Sequence, residues 1–240
     1  MAAPIYADGK PRPRWRGVVH RFVSRWLCYG CAMLYAWLLV QLDVAGAGRR
    51  WLLLLMGLGK LASYGASAHL HHGHFSHLEG LTAALRVDLA AIPLSIGANN
   101  LPLARSPAEF FGLIAATACF FAANALCVRR QLHGARGLRT PDGRDDAPRS
   151  CVLCLQCVFS YAHILYRRGA GFNFLLNVAL VVATLVLSVP VSAAHAEEPL
   201  SDRVPWHKRG RNGFHEDMHA VLLLGDLSML ALVAPHNVGW

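Results

Sequence analysis

Long apolar stretches recur along this chain, and they constrain its fold more than any other feature of the sequence. A helix needs about 20 mostly apolar residues to cross a bilayer, although about 17 suffice. Six stretches reach that lower length, and a seventh, of 16 residues, falls one residue short. The sequence therefore predicts an all-α fold, a multi-pass membrane bundle of seven transmembrane helices. The predicted spans are Trp26–Ala45, Trp51–Leu70, Val87–Leu103, Phe110–Val128, Cys151–Tyr166, Phe172–Ala194 and Met218–Ala234.

The overall composition supports a membrane location. Hydrophobic residues make up 55% of the chain and charged residues only 15%, whereas a soluble domain carries about a quarter charged residues. Residues 1–25 are basic, and they lack the short apolar core of a cleavable signal peptide. We therefore expect a basic cytoplasmic N-terminal tail at residues 1–25 and a seven-helix membrane domain at residues 26–240. The first span would act as its own insertion signal.

The distribution of basic residues predicts how the bundle is oriented. If the chain crosses the membrane seven times, most of its 23 Lys and Arg residues fall on the side of the N-terminus. The positive-inside rule then places the N-terminus in the cytoplasm and the C-terminus outside the cell or in a lumen. Topology thus explains the net charge of +9, and we expect membrane lipids, not nucleic acid, as partners.

One charged residue does not fit a simple apolar span. Lys60 lies midway along the second predicted span, where an unpaired charge is costly. Three explanations are open: Lys60 faces the interior of the bundle, it pairs with an acid such as Asp226 of the seventh span, or the limits of the span are different.

Polar side chains gather where three predicted spans meet the cytoplasm. The second span places Ser67 and His71 in its last turns, and the third begins with Asp88 in its first turn. The seventh span begins with His215 and His219. Residues four apart in a helix share a face, so Ser67 pairs with His71 and His215 with His219. A serine, an acid and three histidines are therefore predicted at one membrane depth.

These side chains have the composition of a catalytic zinc site. Three histidines with an open fourth position are typical of such sites, whereas structural sites usually fill that position with a protein ligand. His71, His215 and His219 are thus candidate ligands of a Zn2+ ion. Zinc lowers the pKa of a bound water to about 7. Asp88 is the candidate group that holds or deprotonates this water, and Ser67 the candidate for orienting an intermediate's oxygen.

Chance is the competing explanation. The stretch HLHHGHFSH alone contributes five histidines, some of which belong to a loop, and two histidines four apart also occur without a function. Ionisable groups in a span are nevertheless functional candidates, because their burial is costly. The convergence of three separate stretches favours a site.

The same stretches resemble the progestin and adipoQ receptor (PAQR) family, which includes bacterial haemolysin-III-like proteins. The resemblance rests on Ser67-x-x-x-His71, on Arg86-Val-Asp88-Leu-Ala-Ala-Ile92 with Pro102 following, and on His215-Glu-Asp-Met-His219. It implies a seven-helix membrane protein with zinc near the cytoplasmic face, bound by the three histidines, with Asp88 and Ser67 beside the metal. Alkaline ceramidases belong to the wider superfamily, and this relation suggests hydrolysis of a lipid amide.

Three classes of function remain compatible with these motifs. The first is an integral-membrane zinc hydrolase that acts on lipid amide or ester bonds, with Asp88 as the base. The second is a membrane receptor or sensor in which the zinc is structural. The third is an intramembrane metalloprotease in which Glu216 is the general base of His-Glu-x-x-His, but this mechanism leaves Ser67, His71 and Asp88 without a role. A pore former is a further alternative.

Overall fold

Helices make up almost all of the described part of the chain. The computed structural model describes residues 50–73, 75, 77–133, 147–192 and 214–233. These residues form six α-helices and no strand, which confirms the all-α prediction. The helices are α1 (Arg50–His72), α2 (Leu78–Ala98), α3 (Pro107–His133), α4 (Ala147–Arg168), α5 (Phe172–Ser192) and α6 (Phe214–Val233), with a 3-10 turn at Leu101–Leu103 between α2 and α3.

Two of these helical segments are long and apolar enough to cross a membrane. They are Glu79–Leu103, which includes the 3-10 turn, and Pro107–Arg130. A shorter apolar segment follows at Phe172–Ser188. The basic tail at residues 1–25 and the first predicted span, Trp26–Ala45, lie outside the described residues.

Helix α2 lies at the centre of the bundle. It packs against α1, α3 and α4, whereas α5 and α6 form a closely packed pair of their own. The two parts are joined by a shared apolar core, which draws on α1, α2, the 3-10 turn, α4, α5 and α6. The buried members of this core are Leu53, Met56, Ala98, Leu103, Ile164, Phe174, Met229, Leu232 and Val233. The core lies where α1 begins and α6 ends.

Small residues allow α1 and α2 to approach closely. A Cβ atom added to Gly59 would lie 2.5 Å from the Cβ of Ala98 and 3.1 Å from the carbonyl oxygen of Leu94. Only glycine fits this contact without displacing α2, in keeping with the small residues that line close helix contacts in membrane proteins. The close approach holds the two helices side by side up to the point where Ser67 meets Asp88.

The bundle carries polar side chains inside and apolar side chains outside. Asn124, Gln156 and Asn177 are at most 1% exposed. By contrast, large apolar side chains on α3, α4 and α5 are more than half exposed. These are Phe111, Leu126, Leu155, Val158, Leu175 and Val186. Soluble monomers rarely expose extended apolar patches, whereas a bilayer solvates them.

The buried amides satisfy backbone groups of neighbouring helices. Pro93 lies inside α2 and has no N–H group, so the carbonyl of Leu89, four residues earlier, loses its helical donor. The side chain of Asn124 on α3 donates a hydrogen bond to this carbonyl at 2.9 Å. Gln156 on α4 donates to the carbonyl of Pro93 at 2.8 Å. The two amides therefore fix α3 and α4 against the central helix.

The predicted beginning of the third span was wrong. Helix α2 begins at Leu78, nine residues before the predicted start at Val87. Its early residues Leu81 and Ala84 are buried against Leu70 of α1, and this local packing extends the helix beyond its continuously apolar part. As a result, Asp88 lies almost three turns inside the helix instead of in its first turn.

Candidate metal centre

Two of the three candidate zinc ligands meet across the bundle. The imidazoles of His71, near the end of α1, and His219, near the beginning of α6, have ring centroids 6.1 Å apart and an interplanar angle of 73°. His71 is buried and His219 is partly buried. The predicted convergence of these two helix ends is therefore present in the structure, at what we call the His71 end of the bundle.

Ser67 and Asp88 also meet, and they do so beside this histidine pair. The buried Ser67 side chain forms a hydrogen bond with the Asp88 carboxylate, and the positive charge of Arg149 stabilises that carboxylate further. Ser67 lies one turn before His71, so both project from the same face of α1. The hydroxyl that was expected to orient an intermediate's oxygen thus donates its hydrogen bond to Asp88.

His215 lies one turn before His219 on the same helix. Helix α6 begins at Phe214, so the backbone of His215 belongs to its first turn, and residues four apart share a face. The side chains of His215 and Glu216 lie outside the described residues. Among the side chains that the structure does describe, no group of three or more His, Cys, Asp or Glu residues forms a metal-binding cluster.

The donor set at the His71 end suits zinc. Zn–N bonds to histidine are about 2.0–2.1 Å long, so two imidazoles on one tetrahedral ion have centroids about 5 Å apart. The observed separation of 6.1 Å exceeds this value by about 1 Å, which a small rotation of the side chains within their rotamer wells removes. The imidazoles of His71 and His219 thus fit two positions of a zinc site.

The structure resolves the position of Lys60. Its ammonium nitrogen Nζ lies 2.5 Å from Oδ1 of Asp226, and both side chains are mostly buried. The hydroxyl of Tyr64 donates to Oδ2 of the same carboxylate at 2.5 Å. Of the three explanations considered for this lysine, the ion pair with α6 is the one found.

A second polar cluster lies at the opposite end of the bundle, which we call the Glu109 end. The Glu109 carboxylate accepts hydrogen bonds from the Arg167 guanidinium and, at 2.8 Å, contacts Nε2 of His163. Nδ1 of His163 contacts Oδ1 of Asn100 at 3.0 Å, and Asn100 donates to Ser160 at 2.6 Å. This cluster ties the 3-10 turn to α3 and α4.

Two residues near the candidate site, Tyr64 and Arg149, are not among those predicted from the sequence. The position of Tyr64 could have been predicted from helical spacing. One face of α1 carries residues at intervals of three or four, namely Lys60, Tyr64, Ser67 and His71. Arg149 could not have been predicted in this way, because it lies outside the predicted spans, two residues before the fifth of them. In the structure it belongs to the first turn of α4.

Searches with the whole chain matched no protein-family model, no curated protein and no solved structure. The resemblance to the PAQR family therefore rests on the motifs alone.

Proposed function

We propose that this chain is an integral-membrane, multi-pass zinc hydrolase, similar to the PAQR and haemolysin-III-like proteins, that cleaves a lipid amide or ester. His71, His215 and His219 would hold the zinc. The observation that carries the proposal is the 6.1 Å approach of His71 and His219 beside the hydrogen-bonded pair of Ser67 and Asp88. Four polar side chains on three helices lie together at the His71 end of the bundle.

The surface of the helices supports the membrane part of the proposal. Two segments have the length and composition of membrane spans, and the exposed faces of α3, α4 and α5 are apolar while buried amides bridge the helices. The proposed topology has seven spans, with the N-terminus in the cytoplasm and the C-terminus outside or in a lumen. It follows from the positive-inside rule and places the His71 end at the cytoplasmic face.

Each side chain around the site has its own role in the proposed reaction. When bound, zinc would activate water and polarise a carbonyl group. The Asp88 carboxylate is the base that takes a proton from the attacking water. Ser67 holds this carboxylate in one orientation through its hydrogen bond, and Arg149 stabilises its negative charge. The glutamate of the His-Glu-x-x-His motif has no part in this mechanism.

The location of the site suits a lipid substrate. Ser67 and His71 are buried, yet they lie within about two turns of the end of α1. In the proposed topology this depth corresponds to the boundary between headgroups and acyl chains. The amide or ester bond of a lipid lies at that boundary, so its carbonyl group reaches the histidines while the acyl chains stay in the bilayer.

The proposal is tested with purified, zinc-loaded protein in lipid nanodiscs. The protein is incubated with a panel of long-chain ceramides, other fatty-acid amides and carboxylic esters, and released fatty acid is measured by mass spectrometry. We expect fatty acid to be released from at least one class of substrate. The rate of release should fall to background after the zinc is chelated and recover after zinc is added back. If zinc-loaded protein hydrolysed no member of the panel, the hydrolase hypothesis would be wrong. The alternative, a membrane receptor with a structural zinc site, would then remain.

A further inference from the structure

We propose that Lys60, Tyr64 and Asp226 form a positioning clamp that sets the distance between His71 and His219. The clamp is the ion pair between Lys60 and Asp226 together with the hydrogen bond from Tyr64 to the same carboxylate. The inference rests on the proposed zinc site, because it assigns these three residues the task of holding the two ligand-bearing helices in register. None of them touches the metal or the substrate in this account.

The clamp and the histidines occupy the same faces of the same two helices. On α1, Tyr64 lies seven residues before His71, which is nearly two helical turns, and Lys60 lies about one turn before Tyr64. On α6, His219 and Asp226 are also seven residues apart. Residues separated by about whole turns share a face, so one face of α1 meets one face of α6 through both contacts.

The two contacts define a single antiparallel register. Moving seven residues back along α1, from His71 to Tyr64, corresponds to moving seven residues forward along α6, from His219 to Asp226. A register in which the Asp226 carboxylate meets Tyr64 is therefore the register in which His219 meets His71. If α6 slipped by one turn, His219 would move about 5.4 Å along the helix axis, whereas metal–ligand distances tolerate only about 0.2 Å.

Side chains, not close backbone packing, bridge this part of the bundle. In the described part of the chain, α1 packs closely along α2, and α6 packs closely along α5, but α1 and α6 are not among the closely packed helix pairs. Lys60 and Asp226 have side chains only 14% and 18% exposed. Charges buried to this degree interact strongly with each other, and removal of either leaves the charge of the other uncompensated.

The first arm of the test measures zinc affinity in three variants of the full chain. Lys60→Met and Asp226→Asn each break the ion pair, and the double variant Lys60→Asp/Asp226→Lys reverses its polarity. Loss of a group that orients metal ligands typically weakens metal binding by about 10–100-fold. We expect both single variants to lose affinity in this range and the reversed pair to recover most of the loss, as measured by competition with a chromogenic chelator.

Arg167→Met provides the matched control. It breaks the ion pair with Glu109, whose side chains are 16% and 19% exposed, at the other end of the bundle. This variant should lower the thermal stability of the protein about as much as the clamp variants do while leaving zinc affinity within about twofold of wild type. If Arg167→Met weakened zinc binding as much as Asp226→Asn, the clamp would be a general contributor to stability and the proposal would be overturned.

The second arm needs no zinc and therefore separates the clamp from the proposed function. Spin labels are attached at His69→Cys and Ala220→Cys, both exposed positions, in a chain whose seven native cysteines are replaced by alanine. Electron paramagnetic resonance on the metal-free protein should show one narrow distance distribution, which broadens or shifts in Asp226→Asn. An unchanged distribution would refute the clamp, whereas wild-type protein that binds no zinc would refute the proposed site and leave this measurement valid.

Discussion

Replacing Asp88 with asparagine is expected to lower the turnover of a lipid amide by about 10²–10⁴-fold, the usual contribution of a general base. Asparagine has nearly the same shape as aspartate, and its carbonyl oxygen still accepts the hydrogen bond that Ser67 donates to the carboxylate. The variant loses the capacity to take a proton from water. The measurement is kcat for the preferred substrate of the panel, with the zinc content of the same preparation determined alongside.

The zinc content of the Asp88→Asn variant distinguishes loss of the catalytic base from loss of the metal. The proposed ligands are histidines, so Asp88→Asn should retain as much zinc as the wild type. Glu109→Gln is the matched control, because it neutralises a carboxylate at the opposite end of the bundle, and it should leave kcat within about threefold of wild type if folding is intact. If Asp88→Asn kept the turnover of the wild type, Asp88 would have no role in catalysis. If the variant lost its zinc, Asp88 would be a metal ligand and not a base.

Replacing His219 with alanine is expected to weaken zinc binding by about 100-fold. Zinc bound by four protein ligands has an apparent binding free energy of about 10–16 kcal/mol, so each ligand contributes about 3 kcal/mol. A loss of this size corresponds to roughly two orders of magnitude in the dissociation constant. Chelator competition on the purified protein measures the change directly, and elemental analysis after dialysis shows whether any zinc is retained.

A neighbouring histidine supplies the control for this prediction. His69 lies on α1 beside His71, but its side chain is exposed and packs edge-on against Phe75, with ring centroids 5.5 Å apart. His69→Ala should keep zinc affinity within about twofold of wild type. Equal losses in His69→Ala and His219→Ala, or full zinc retention in His219→Ala, would place the metal elsewhere in the chain.

The helices could be predicted from hydropathy, but the limits of α2 could not. Apolar composition marks the part of a chain that suits a bilayer, and a helix continues beyond that part where local packing supports it. The first turns of α2 contain Glu79 and Thr82 and are therefore not continuously apolar. They are helical because Leu81 and Ala84 are buried against Leu70, a tertiary contact that hydropathy alone does not reveal.

The candidate site was predictable where helical spacing carried the information. Ser67 and His71 share a face because they are four residues apart, and the sequence predicted that they meet Asp88 and His219 at the same depth. The ion pair of Lys60 could only be named as one of three explanations, because its geometry depends on the register of α1 against α6. The approach of Arg149 to Asp88 depends on where α4 begins, which a polar segment of sequence does not define.

X-ray absorption at the zinc edge of the purified wild-type protein tests most directly whether α1 and α6 share a zinc ion. The predicted result is about one zinc per chain with a first coordination sphere of imidazole nitrogens at about 2.0–2.1 Å and no sulfur. Protein that binds no zinc, or zinc bound by sulfur at about 2.3 Å, would contradict the account.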